Sequence, residues 1–127
     1  MQQMLAVRKA WPGTECTIRS SSLLWRGQFC PSEVSPTYTL TLTYQLPRHP
    51  KVFVVDPVLD PGEGRRLPHV YTGDRLCLYS KGEWNGSMHI ADTIIPWAAE
   101  WLLHYELWLI TDRWAGGGHL YTSGPGP

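Results

Sequence analysis

The sequence predicts an α+β domain: a four-stranded antiparallel meander followed by a long helix, with a short helix ahead of the first strand. Three observations predict it. Tyr38, Leu40, Leu42 and Tyr44 alternate with Thr37, Thr39, Thr41 and Thr43, the strict period of two that marks a half-buried strand. Strand-like runs flank this segment across short connections, which favours antiparallel neighbours. From Ile94 to Ile110 the chain is apolar apart from Glu100, His104 and Glu106, too interrupted for a membrane span, and it reads as a helix.

Residues 2–10 could form a short helix, stopped at Trp11-Pro12-Gly13. Cys16-Thr17-Ile18-Arg19 and the run from Leu23 to Phe29 read as strands, with Ser20-Ser21-Ser22 as the turn between them. Cys30 to Pro36 is a loop, and the alternating strand follows it. Pro47-Arg48-His49-Pro50 makes the next turn, and Lys51-Val52-Phe53-Val54-Val55 the fourth strand, ended by Asp56-Pro57. Asp60 to Arg66 is polar and rich in turn formers, which predicts a surface loop. The long helix starts near Asp92 or Thr93, either of which can cap it. Pro96 then falls in the first turn, where a missing N–H costs little. It ends around Thr111-Asp112-Arg113. Gly116-Gly117-Gly118-His119 reads as a turn and residues 122–127 as a disordered tail, so residues 1–121 are expected to be one domain.

Composition excludes several classes. Eleven basic residues balance eleven acidic ones with no run of either sign, so no nucleic acid or anionic membrane is expected as a partner held by bulk charge. Three cysteines without regular spacing make a poor disulfide framework, and the N-terminus lacks a signal pattern; a cytoplasmic protein is expected. There is no Cys-x-x-Cys and no His-Glu-x-x-His, so no metal is expected, and nothing calls for a cofactor.

The chemistry concentrates in Pro68-His69-Val70-Tyr71-Thr72-Gly73-Asp74-Arg75-Leu76-Cys77-Leu78-Tyr79. Cys77 lies where an exposed loop meets an apolar run, so it is expected to be accessible but partly shielded, as a nucleophilic thiol needs. Pro68, Val70, Tyr71, Gly73, Leu76, Cys77 and Leu78 fall in the register of the active-site segment of ubiquitin-conjugating enzymes, which this stretch resembles. Leu67 stands where that family has histidine, and His69 where it has asparagine. The resemblance implies the ubiquitin-conjugating fold over residues 15–110, Cys77 as the nucleophile, and His69 as a donor to the oxyanion or a lock on the loop. Pro68 and Tyr71 then shape the loop.

The second half is similar to a narrower group. Trp84, Ile94-Ile95-Pro96-Trp97, Glu100-Trp101-Leu102, Tyr105-Glu106-Leu107-Trp108 and Trp114 with Gly116-Gly117-Gly118-His119 resemble the conjugating-enzyme-like proteins of short type II CBASS operons, bacterial antiphage signalling systems. That resemblance implies a cGAS-like nucleotidyltransferase as partner, its C-terminal tail joined to the cysteine as a thioester. The alternative is a non-catalytic scaffold that regulates the cyclase.

Other residues have competing readings. Asp74, Glu83, His89 and Asp92 flank the cysteine in sequence; one of them could deprotonate an amine, and each reads as well as a cap or solvated loop residue. Glu100 and His104 are spaced to pair on the helix. Trp97, Trp101 and Trp108 fit one helical face, which with Trp114 packs against the meander or docks the cyclase. Cys16 and Cys30 read as core or bystanders.

Overall fold

The computed structural model describes residues 1–114. The expected turn at Gly116-Gly117-Gly118-His119, the tail and the domain end at residue 121 lie outside them. Helix α1 spans Gln2–Ala10 and strands β1 to β4 span Glu15–Arg19, Ser22–Phe29, Tyr38–Tyr44 and Lys51–Asp56. A single 3-10 turn, Ile90–Asp92, precedes helix α2, Ile94–Thr111. The strands form one antiparallel sheet in the order β1-β2-β3-β4, the predicted meander.

The hairpin between β1 and β2 is tight. Arg19 pairs with Ser22, leaving Ser20 and Ser21 as a two-residue loop with φ of 51° and 66°. Positive φ at both central positions is the turn whose twist matches that of the strands. In β3, Tyr38, Leu40, Leu42 and Tyr44 are all buried, as the alternation requires. Thr39, on the other face, is also buried and accepts from the Gln28 side-chain amide at 3.3 Å.

One core cluster joins this sheet face to Ile94, Ile95, Ala98, Trp101, Leu102, Tyr105 and Trp108 of α2. Burying a side chain of this size stabilises the fold by roughly 1.5–3 kcal/mol, before the entropy of ordering it is counted. The Tyr38 and Tyr105 rings meet edge to face at 6.4 Å. Beside them Ser35 and Tyr38 both donate to the Glu106 carboxylate, at 2.5 and 2.7 Å. Burial, and then that carboxylate, push the Tyr38 phenol well above its ordinary range. Glu106 thus ties the β2–β3 loop to α2.

Helix α2 starts at Ile94 with Thr93, one of the two expected residues, at the cap position, although its side chain makes no cap hydrogen bond. The Thr93 hydroxyl is used elsewhere: it donates to the His89 carbonyl at 2.8 Å and accepts from the Trp84 indole at 2.9 Å. At the other end Asp112 adopts φ 61°, and Arg65 closes the helix by donating to the Trp108 carbonyl at 3.2 Å and pairing with Asp112 at 2.9 Å. Helix α1 buries Val7 and is held by Gln3, which bonds the Met88 carbonyl and the Ile90 N–H, each at 2.8 Å.

Candidate active site

The segment containing Cys77 is a small hairpin. Val70 pairs with Leu76, the Tyr71 N–H donates to the Arg75 carbonyl at 2.8 Å, and the Asp74 N–H donates to the Tyr71 carbonyl at 3.0 Å. Gly73 has φ 81°, a conformation that this turn needs and that a Cβ would disfavour. The Leu76 N–H donates to the Val52 carbonyl at 2.9 Å, so the hairpin is stitched to β4.

Pairing of residue 70 with 76 sets 69 opposite 77 and 71 opposite 75, and puts Tyr71, Arg75 and Cys77 on one face. Tyr71 is therefore a diagonal neighbour of Cys77, and its phenol hydrogen-bonds the Cys77 side chain. Burial and that bond push the phenol up to about 12, so Tyr71 keeps its proton at neutral pH. Opposite it, the Arg75 guanidinium lies over the Tyr71 ring at 4.1 Å. This partner of the sulfur was legible only after the turn had been centred on Thr72-Gly73-Asp74.

His69 breaks the alternation. Its φ of 52° is left-handed, so its ring leaves the hairpin face and packs against Trp114, with ring centroids 4.8 Å apart. What His69 offers Cys77 is its carbonyl, which accepts the Cys77 N–H at 2.9 Å and the Trp101 indole N–H at 3.0 Å. Burial, then the nearby His104, lowers the affinity of the His69 ring for a proton, so it is neutral at physiological pH. Pro68 precedes it, half-buried.

One expectation needs correction. Cys77 is not at an accessible edge: it is 0 % exposed, its sulfur 4.0 Å from the Tyr79 carbonyl. The flanking Leu76, Leu78 and Tyr79 are buried as well, because the hairpin folds down onto the core. Of the two readings of the helix tryptophans, Trp101 and Trp108 take the first, packing into the core against the meander. They are 0 % and 7 % exposed, Trp101 against Tyr105 and Trp108 beneath Arg65, whose guanidinium sits 3.9 Å from its ring. Trp97 and Trp114 are half-buried.

The flanking polar residues go elsewhere. Glu83 accepts from the Ser80 N–H at 2.5 Å and holds its own turn, and Asp74 sits exposed in the Gly73 turn. His89 and Asp92 lie 3.7 Å apart and line a separate cavity against α1. Glu100 and His104 are paired at 3.3 Å, as their spacing suggested. Cys30 is exposed and Cys16 buried, both free. Among the described residues no group of three or more His, Cys, Asp or Glu could hold a metal, and no helix is long and apolar enough to cross a membrane.

An antiparallel meander, a hairpin carrying a single cysteine, and a long helix behind it define an α+β domain of the ubiquitin-conjugating type. The family model of the type II CBASS E2 protein matches residues 3–121, and the chain belongs to that family, with a role in CBASS antiphage defence. No curated protein matches the chain.

Proposed function

We propose that the protein is an acyl carrier: Cys77 forms a thioester with the C-terminus of a cGAS-like nucleotidyltransferase and so primes or regulates that cyclase. The observation that carries this reading is the attention the fold gives to one sulfur. The Cys77 backbone is fixed by the His69 carbonyl, its thiol is met by the Tyr71 phenol, and both belong to a hairpin anchored on β4. Family membership supports the same reading. In the reaction the Cys77 sulfur attacks the carbonyl carbon of an activated carboxyl group. An S–C bond forms, the C–O bond to the leaving group breaks, that oxygen takes the electron pair, and the thiol proton passes to water. The sulfur must first be uncovered, which a swing of Tyr71 out of the hairpin face would do.

His69 acts here as a positioning residue. Asparagine and histidine are among the few side chains enriched at left-handed φ, so either can hold this carbonyl against the Cys77 N–H. The test is Cys77→Ala in cells that also make the cyclase. The adduct between the two proteins should disappear while the variant still folds; an adduct that persists removes Cys77 from the chemistry.

The burial of Cys77 favours a second reading, a non-catalytic scaffold. Its docking face would be the exposed stripe Leu103, Leu107 and Ile110 on α2 rather than the tryptophans. Cyclase control that survives Cys77→Ala but not Leu107→Glu would select it.

A further inference from the structure

A cleft of about 720 Å³ opens beside the cysteine hairpin, between the turn before β4 and the loop after Cys77. Its lining has four cationic side chains, Arg48, Lys51, Arg75 and Lys81, and no carboxylate. None of the four is in an ion pair among the described residues. The chain as a whole has a formal net charge of zero, so this concentration is local and not a by-product of composition. Tyr71 forms part of the wall, and its phenol is the group bonded to Cys77. Tyr79 and Trp84 also line it, the Tyr79 hydroxyl 2.7 Å from His49 Nδ1. Four cations lining one concave site attract a compact anion of high charge, and phosphoryl oxygens accept from guanidinium and ammonium donors. The volume accommodates a nucleotide.

We propose that this cleft binds the phosphoryl leaving group of the activated acyl donor that charges Cys77. This rests on the acyl-carrier reading above. A carboxylate itself does not acylate a thiol; a mixed anhydride with phosphate does, as an acyl adenylate or an acyl phosphate. With the phosphoryl group held by Arg48, Lys51, Arg75 and Lys81, the acyl group reaches the sulfur past the Tyr71 wall; Cys77 itself is buried and does not line the cleft, so the swing of Tyr71 out of the hairpin face is part of the step. The S–C bond forms as the C–O bond to the phosphoryl oxygen breaks. That departing oxygen takes the electron pair, and its growing charge meets the cations.

The experiment is calorimetric titration of the full chain with AMP and with inorganic phosphate at fixed ionic strength, on wild type, Cys77→Ser and Lys51→Gln/Lys81→Gln. Both lysines are exposed, so the double variant should melt as wild type does. Saturable AMP binding, unchanged in Cys77→Ser and weakened about 10-fold for each lysine replaced, is expected. AMP binding tighter than phosphate supports an acyl adenylate, and equal affinities support an acyl phosphate. No binding of either, or binding unchanged in the lysine variant, overturns the proposal. Failure of the thioester reading looks different: AMP binds as expected, yet wild type forms no adduct with the cyclase.

Discussion

Replacing His69 separates a conformational role from a chemical one. The backbone there has φ 52°, and the ring packs against Trp114 at 4.8 Å. His69→Asn keeps a residue that tolerates left-handed φ and gives up the ring packing, a cost of about 0.5–1.5 kcal/mol. His69→Gly removes the ring and the strain together and adds about 0.5–1 kcal/mol of unfolded-state entropy. His69→Val removes the ring and forces a β-branched residue into the left-handed region, adding about 1–2 kcal/mol. Urea melts should therefore rank wild type above Asn and Gly, with Val lowest. The adduct-forming rate is the discriminating assay, measured at a temperature where all four are folded. A residue that only holds its carbonyl on the Cys77 N–H leaves His69→Gly within about three-fold of wild type. Loss of an oxyanion donor costs about 100-fold or more. A glycine variant that is 100-fold slower yet fully folded would refute the positioning role.

Four further outcomes are expected. Trp101→Phe removes the indole N–H that reaches the His69 carbonyl at 3.0 Å; it should lower stability by about 1 kcal/mol in a urea melt and slow adduct formation, whereas an unchanged rate would uncouple α2 from the hairpin. Alkylation followed by peptide mass spectrometry should modify exposed Cys30 first and Cys16 and Cys77 only slowly; rapid labelling of Cys77 would mean that the hairpin is open in solution. Glu106→Ala strands the Tyr38 hydroxyl and leaves the Ser35 hydroxyl with Ser32 alone, and should cost about 1–3 kcal/mol of stability without changing adduct chemistry, as denaturant melts and adduct assays would show. The His69 ring binds its proton less tightly folded than unfolded, so below about pH 6.5 the unfolded state takes up the proton first and stability falls until the lower folded value is passed. Melts of wild type against His69→Asn across that range should show a slope that the variant lacks.

The strands and the long helix were legible because each is local and periodic. Tyr38, Leu40, Leu42 and Tyr44 declare a buried face by alternation alone. The start of the helix after Thr93 was legible too; that the Thr93 hydroxyl serves Trp84 and His89 instead of the helix N-terminus was not, because those bonds exist only once the chain has folded. The same holds for the site. The register of Pro68 to Leu78 identified Cys77, yet the burial of its sulfur depends on the hairpin being fastened to β4 through Val52. The exposed loop ahead of Cys77 in sequence suggested an accessible thiol, and exposure does not carry across the turn. The helix spacing put Trp101 and Trp108 on one face; which way that face looks is a tertiary fact, and it looks inward.

Intact-protein mass spectrometry of the protein produced together with its cyclase, as wild type and as Cys77→Ser, tests the acyl-carrier reading most directly. The expected result is a covalent adduct that neutral hydroxylamine releases from wild type, and an adduct of the same composition in the serine variant that resists hydroxylamine. No adduct in either, with the two proteins still purifying as a complex, would contradict it and leave the scaffold reading.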